Sequence, residues 1–452
     1  MLFGLAALVW RMAGQEHLRR PWRQVARSRS AMISLVILLA YLGIAVLDSV
    51  RFHPSGNSAE NGLSPYLGEP VTVLDWWLSP IRNRTEKTYS APLAVYGYAR
   101  EMIREPGGQE RWDYPRLEFA GQNLVDPERD WVSDIRNRSL LGILRGVAFW
   151  VLLAAVWAAG WFWSNRAHAG PRWSPVLRGE TEIPWRAIGL TVLMMCAVGG
   201  WLGELGAEYH VMGTGKVGED VLYQSLKSIR TGVLIGTLTT FATLPLALAF
   251  GILAGYCRGW VDDAIQYLYT TLNSVPGVLL IAAAMLVMQS YMARHEAEFA
   301  SLALRADFRL LALCLILGMT SWTGLCRLLR AETLKLRELE YVQAARVLGV
   351  SQPMILLRHI LPNLFHLVLI SVALDFSSLV LAEAVLSYIN IGVDPAMESW
   401  GNMINSARLE MARDPVVWWS LASAFCFMFA LVLSANLFAD AVRDAFDPRR
   451  AE

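Results

Sequence analysis

The stretch YVQAARVLGVSQPMILLRHILPN, Tyr341 to Asn363, is polar and basic at its start and oily at its end. Glu338 to Leu348 is rich in strong helix formers, Gly349 suits the left-handed conformation that ends a helix, and Ser351 suits the cap of a new one. The local chemistry therefore predicts a helix, a sharp turn and a second helix. Pro353 is tolerated in the first turn of that second helix, and Pro362 is expected to interrupt it before the next apolar run. Ala344, Ala345 and Gly349 leave little side chain at the bend, so another surface could approach the backbone closely. The stretch has the form of a docking element.

Around it the chain is apolar. Of 452 residues, 55% are hydrophobic and 17% charged, a balance that points to a membrane as the solvent. A helix rises about 1.5 Å per residue, so about 20 apolar residues cross a hydrocarbon layer roughly 30 Å thick. Eight segments approach that length, at 31–47, 143–163, 187–205, 231–255, 271–290, 309–328, 364–388 and 416–439. The opening MLFGLAALVW is too short to span, and its arginines follow the apolar run, unlike a signal peptide; it reads as an interfacial or buried piece. The five cysteines lie in or beside apolar segments with no C-x-x-C pair and read as small packing residues.

Arginine in tails and short loops sets orientation. Arg11, Arg19, Arg20, Arg23, Arg27 and Arg29 precede the first span, and Arg166, Arg172, Arg178 and Arg186 follow the second. Both regions are expected inside the cell. Eight crossings then place the 338–363 stretch and both tails, 1–30 and 441–452, on the same side. The 48–142 segment falls outside; its mixture of acids, bases and aromatic punctuation (WDYPRLEF) predicts a small folded lobe. A net charge of +1 gives no global pull toward nucleic acid.

Other chemistries fit poorly. AA-x-x-LGVSQP resembles the turn of a DNA-binding helix-turn-helix, but the second helix, MILLRHIL, has few side chains for base edges and runs into a membrane span. No nucleic-acid partner is expected. An amphipathic loop lying on lipid headgroups is the plainer alternative. GTGKVG, Gly213 to Gly218, has the spacing of a dinucleotide loop but no preceding strand and no acid about twenty residues on. A P-loop fails because His210 and Val217 occupy its glycine and hydroxyl positions. No metal or cofactor site is expected, nor any means of hydrolysing ATP on this chain.

The quoted stretch resembles the EAA loop of permease subunits of ATP-binding-cassette (ABC) importers. The pattern E-A-A, three residues, G, ten residues, I/V-L-P falls on Gln343, Ala344, Ala345, Gly349, Ile360, Leu361 and Pro362, with Gln343 replacing the glutamate and Arg346 left as the nearest charge. Three other stretches resemble the dipeptide and oligopeptide permeases of the C-subunit type: HVMGTGKVGEDV from His210, LAEAVLSYINIG from Leu381 with the following ESWGNMI, and NLFADAVRDAFDPR from Asn436. In the first, Gly215 and Glu219 replace an aspartate and an arginine. The resemblance implies an all-α polytopic bundle of about eight membrane helices with a type I importer permease-like core of five helices at 206–440, two additional helices within 143–205 and an extracytoplasmic insertion. It implies an ATPase-docking set of Tyr341, Gln343, Ala344, Ala345, Arg346, Gly349 and Pro362. It also implies separate ATPase subunits that carry the ATP, a second permease, an extracytoplasmic solute-binding protein, and a bacterial inner-membrane location among lipid.

Within the spans, Asp375 and Glu383 are costly in lipid and, eight positions apart, lie nearly on one helix face; they are candidate pathway-lining acids, or else structural bonds to a neighbouring helix. The glycine pairs Gly232 and Gly236, and Gly251 and Gly255, predict close helix packing, and Pro245 and Pro276 predict kinks. The expected function is a permease subunit of an ATP-driven importer, for peptides, that is not itself an enzyme. The alternative is a membrane-anchored scaffold that binds without transporting.

Overall fold

Apolar runs of this length cannot leave backbone polar groups unpaired in lipid, so helices dominate. The computed structural model describes residues 16–52, 71–104, 110–164, 181–299 and 301–446. The MLFGLAALVW opening, Arg11, the loop arginines 166, 172 and 178, and Arg449 and Arg450 lie outside the described residues. Among the described residues, seven helices are long and apolar enough to cross a membrane. The described residues divide into two units, one made of Met1–Arg230 with Glu398–Ser434, the other of Thr231–Met397 with Ala435–Glu452.

The first unit begins with α1 (Glu16–Arg27) and α2 (Arg29–Ser49), where Ser28 caps α2 by accepting the Ala31 N–H. Strands β1 (Arg51–Phe52) and β2 (Val71–Thr72) pair antiparallel and lead into α3 (Val73–Trp77) and α4 (Ser79–Arg82). Strands β3 (Glu101–Arg104) and β4 (Glu110–Asp113) form a second antiparallel pair. Leu74, Ile81, Val95, Leu205, Tyr209 and Leu222 make a common core under these pieces. Helix α5 (Pro127–Ser164) starts well before residue 142, so the end of the expected outer segment is already helical; Glu128 and Asp130 in its first turn suit the helix dipole. It lies against α6 (Trp185–Gly206) backbone to backbone, where a Cβ on Gly146 would strike the Cys196 carbonyl and one on Gly200 the Gly142 carbonyl.

The second unit holds most of α7 (Val221–Cys257), then α8 (Trp260–Ser274), α9 (Gly277–Arg294) and α10 (Leu302–Arg337). The segment expected to span at 271–290 is instead two helices. Pro276 bars the α conformation from the residue before it, Val275 is extended, and the apolar crossing is α9 alone. The segment at 309–328 lies in α10, which is outside those seven but, at 36 residues, is long enough to make the eighth crossing that the expected topology requires. Leu313, Leu317, Trp322, Cys326 and Leu329 bury this helix in the core of the unit. Gly236 abuts Phe376, Gly251 abuts Leu329, and a Cβ on Gly255 would sit 2.6 Å from Thr333 Cβ. These contacts match the predicted close packing. All five cysteines are free, but only Cys314 and Cys326 are buried; Cys257 and Cys426 are exposed.

Candidate functional site

The Tyr341–Asn363 stretch belongs wholly to the second unit. Helix α11 (Glu340–Val347) places Val342 and Ala345 on one face, 2% and 8% exposed, where they join Ile355, Ile360 and Leu364 in a hydrophobic core. Gln343, Ala344, Arg346, Val347 and Leu348 occupy the opposite, exposed face. Gly349 closes the helix at φ +77, with its N–H donating to the Arg346 carbonyl and the Val350 N–H donating to the Ala345 carbonyl. This pair of bonds is the Schellman ending, and Val350 packs against the hydrophobic cluster that holds Ala345, the kind of contact that often accompanies the motif. The turn thus projects Val347 and Leu348, 87% and 81% exposed, from a rigid base.

Ser351 takes the cap position of α12 (Gln352–Ile355) through its backbone, while its side chain makes no capping bond. Pro362 does not interrupt the second helix. Its missing N–H and its ring would break an α-turn, and the chain widens into a π-turn over Leu356–Ile360, where the Leu361 N–H reaches back to the Leu356 carbonyl. The helix then continues as α13 (Leu361–Tyr388). The result is one 37-residue helical run from Gln352 to Tyr388, so the Gly349 turn is joined directly to a membrane-spanning helix.

Polar bonds brace the base. Asn363 Nδ2 donates to the Tyr341 hydroxyl at 3.0 Å and to the His359 carbonyl at 2.6 Å, tying α11 to the start of α13. Arg337 donates to the Tyr256 carbonyl at 2.6 Å, and Arg258 pairs with Glu338 at 2.7 Å. Arg330 grips Asp262 with two hydrogen bonds of 2.5 and 2.7 Å, which hold that carboxyl below its usual range. Gln343 meets the charge of Glu338: its Nε2 lies 3.4 Å from Glu338 Oε2 and 3.3 Å from the Glu338 carbonyl oxygen. A glutamate at 343 would face a like charge there, so the neutral amide suits this chain's own surroundings.

The two candidate pathway acids sit differently on α13. Glu383 is 2% exposed and accepts a 2.7 Å hydrogen bond from Ser387, whereas Asp375 is half-buried. Arg309, at the edge of the expected 309–328 span, is buried on α10 and donates to the Gly392 carbonyl at 3.0 Å, beside Asp394. It secures the turn that ends α13, where Asn390 adopts φ +63. A charge inside an apolar run was the available signal for it.

In the first unit, the His210–Asp220 motif folds around a buried charge cluster that sequence reading missed. His210 Nδ1 bonds Asp220 at 2.7 Å, and its Nε2 lies 3.6 Å from Glu86. Glu86 also accepts the N–H groups of Glu118, Phe119 and Ala120. Burial opposes both charges, but the hydrogen bonds win, pushing the imidazole up to about 9 and the Glu86 carboxyl down to about 2. Nothing local to residue 86 announces this role.

Comparison with known proteins follows the same lines. The family profile described as binding-protein-dependent transport system inner membrane component matches residues 247–452. The oligopeptide transport system permease protein OppC of Mycobacterium bovis is 30% identical over 239 residues, covering 53% of this chain and 76% of that protein. The glutathione transport system permease protein GsiD of Pectobacterium atrosepticum is 29% identical over 308 residues, 61% of this chain and 95% of its own length. The dipeptide transport system permease protein DppC of Lactococcus lactis is 28% identical over 243 residues, 54% and 65% of the two chains. With its apolar spanning helices and its matching profile, the chain belongs to the binding-protein-dependent inner-membrane transport family and is a multi-pass permease subunit of an ABC importer.

Proposed function

We propose that this subunit conducts peptides, or solutes of similar backbone chemistry, into a bacterial cell across the cytoplasmic membrane. A separate ATPase binds and hydrolyses ATP, a second permease subunit completes the path, and an extracytoplasmic solute-binding protein delivers cargo. Both termini and the Tyr341–Gly349 turn lie in the cytoplasm on this reading, as the distribution of arginine supports. The ATPase grips Tyr341, Gln343, Ala344 and Arg346 around the projecting Val347 and Leu348. Ala345 and Gly349 set the bend, and Pro362 sets the π-turn through which force enters α13.

The observation that carries this reading is the apolar tip held on a braced base. An exposed Val-Leu pair at the end of a well-bonded turn gains nothing within its own chain and suits a groove on a partner. Movement of the turn is transmitted along the helix that carries Asp375 and Glu383. A path beside α13 meets the half-buried Asp375 first, and Glu383 only when rotation of the helix exposes its buried face.

The experiment is reconstitution in proteoliposomes with candidate partner ATPases, a second permease and a solute-binding protein. ATP-dependent uptake of labelled di- to pentapeptides is the expected outcome. ATP-driven uptake of a metal with none of any peptide would overturn the substrate class, and association without any ATP-driven uptake would overturn transport.

A further inference from the structure

In the first unit, α5 and α6 touch through glycine at one end. Beyond the Gly146 contact, a Cβ on Gly189 would meet only the Trp150 ring, at 4.0 Å, and Trp150 reaches across to donate from Nε1 to the Gly189 carbonyl at 3.0 Å. Past it lies a groove of about 500 Å³, floored by Ala154 and Gly189 and walled by Leu153 and Leu193. Trp157 and Trp185 close its far end, with ring centroids 5.0 Å apart. From Trp150 to Trp157 the groove follows two turns of helix, about 10 Å at 1.5 Å per residue, within the depth of one leaflet.

The surroundings determine what fits. Leu152, Val156, Leu190 and Met194 are exposed on the same two helices, so the groove opens onto an apolar surface at membrane depth. Tryptophans at one end mark the level of the headgroups. Arg186 lines the mouth with its side chain exposed, and no carboxylate pairs with it among the described residues. An acyl chain matches the walls, and an anionic headgroup matches the cation.

We propose that this groove binds one anionic glycerophospholipid, with an acyl chain between α5 and α6 and its phosphate at Arg186. The site anchors the pair of helices that lies outside the matched 247–452 region, and it functions independently of which solute the importer carries.

The test uses the full-length, delipidated protein in detergent. It is titrated with phosphatidylglycerol or phosphatidylcholine, and retained lipid is counted by native mass spectrometry. Wild type is expected to hold phosphatidylglycerol about five-fold more tightly, the ratio that ~1 kcal/mol per basic residue at an anionic surface implies. Arg186→Gln, an exposed substitution that leaves folding intact, should abolish the difference, and Arg186→Lys should keep it. Ala154→Phe fills the groove and should weaken retention of both lipids, with circular dichroism confirming the fold. Equal retention of the two lipids by wild type would overturn the proposal, as would an Arg186→Gln protein that keeps its preference. Undiminished retention by a folded Ala154→Phe protein would place the lipid, or another occupant of the groove, elsewhere and overturn it too.

Discussion

Replacing Leu348 with glutamate separates docking from folding. Leu348 is 81% exposed, so the subunit itself loses almost no burial when the side chain changes. Seated in an ATPase groove, a leucine contributes roughly 1.5–3 kcal/mol of apolar burial, and a charge placed there must also be desolvated. A loss of at least about 2 kcal/mol, or about 30-fold in affinity, follows. The assay is capture of the partner ATPases on the tagged subunit in nanodiscs, alongside nucleotide hydrolysis and the subunit's own melting temperature. Association should fall about 30-fold while melting stays within about 1 °C, because surface substitutions commonly change stability by less than ~0.5 kcal/mol. The contrast is Ala345→Glu on the opposite face, 8% exposed, which puts a charge into the core and should lower the melting temperature instead. ATPase capture within two-fold of wild type for Leu348→Glu would refute the reasoning.

Gly349→Ala tests the bend. No atom lies within 4 Å of the added Cβ, so the cost is that of φ +77 alone, about 1–2 kcal/mol, read as roughly ten-fold faster hydrogen exchange across residues 340–350. Gly255→Val pushes against Thr333 Cβ at 2.6 Å and should cost about 1–3 kcal/mol, seen as a lower melting temperature without loss of ATPase contacts at the turn. The His210 cluster predicts a pH dependence. Its folded-state pKa of about 9 lies above the ordinary 6.5, so its stabilisation is full below pH 6.5 and is lost as pH rises through about 9. Hydrogen-exchange protection, after correction for the intrinsic rise of exchange with pH, should fall over that range in residues 86–104 and 110–120, and His210→Gln should remove that fall.

The helix, turn and helix at Tyr341–Asn363 were legible because each rests on local chemistry: helix formers, a left-handed glycine and a cap position. What Pro362 does was not, since a proline signals a lost hydrogen bond but not whether the chain breaks or widens into a π-turn. Pro276 shows the other outcome, because extended backbone at Val275 splits the expected span. Spanning helices followed from apolar length alone. The polar partners did not: Glu86 meets His210 across 124 residues of sequence, and Arg309 meets Gly392 across 83, distances at which no spacing rule operates. Gln343 looked like a lost charge in the motif and is instead matched to Glu338, a neighbour whose ion pair with Arg258 only the fold reveals.

An ATPase can reach the Tyr341–Gly349 turn only if the turn faces the cytoplasm, as proposed. Val347→Cys, introduced after replacing the native cysteines, puts a thiol on a position 87% exposed. It should react with a membrane-impermeant maleimide in inside-out vesicles and not in intact spheroplasts, and bound ATPase should protect it. Labelling from the outside of intact spheroplasts would contradict the account.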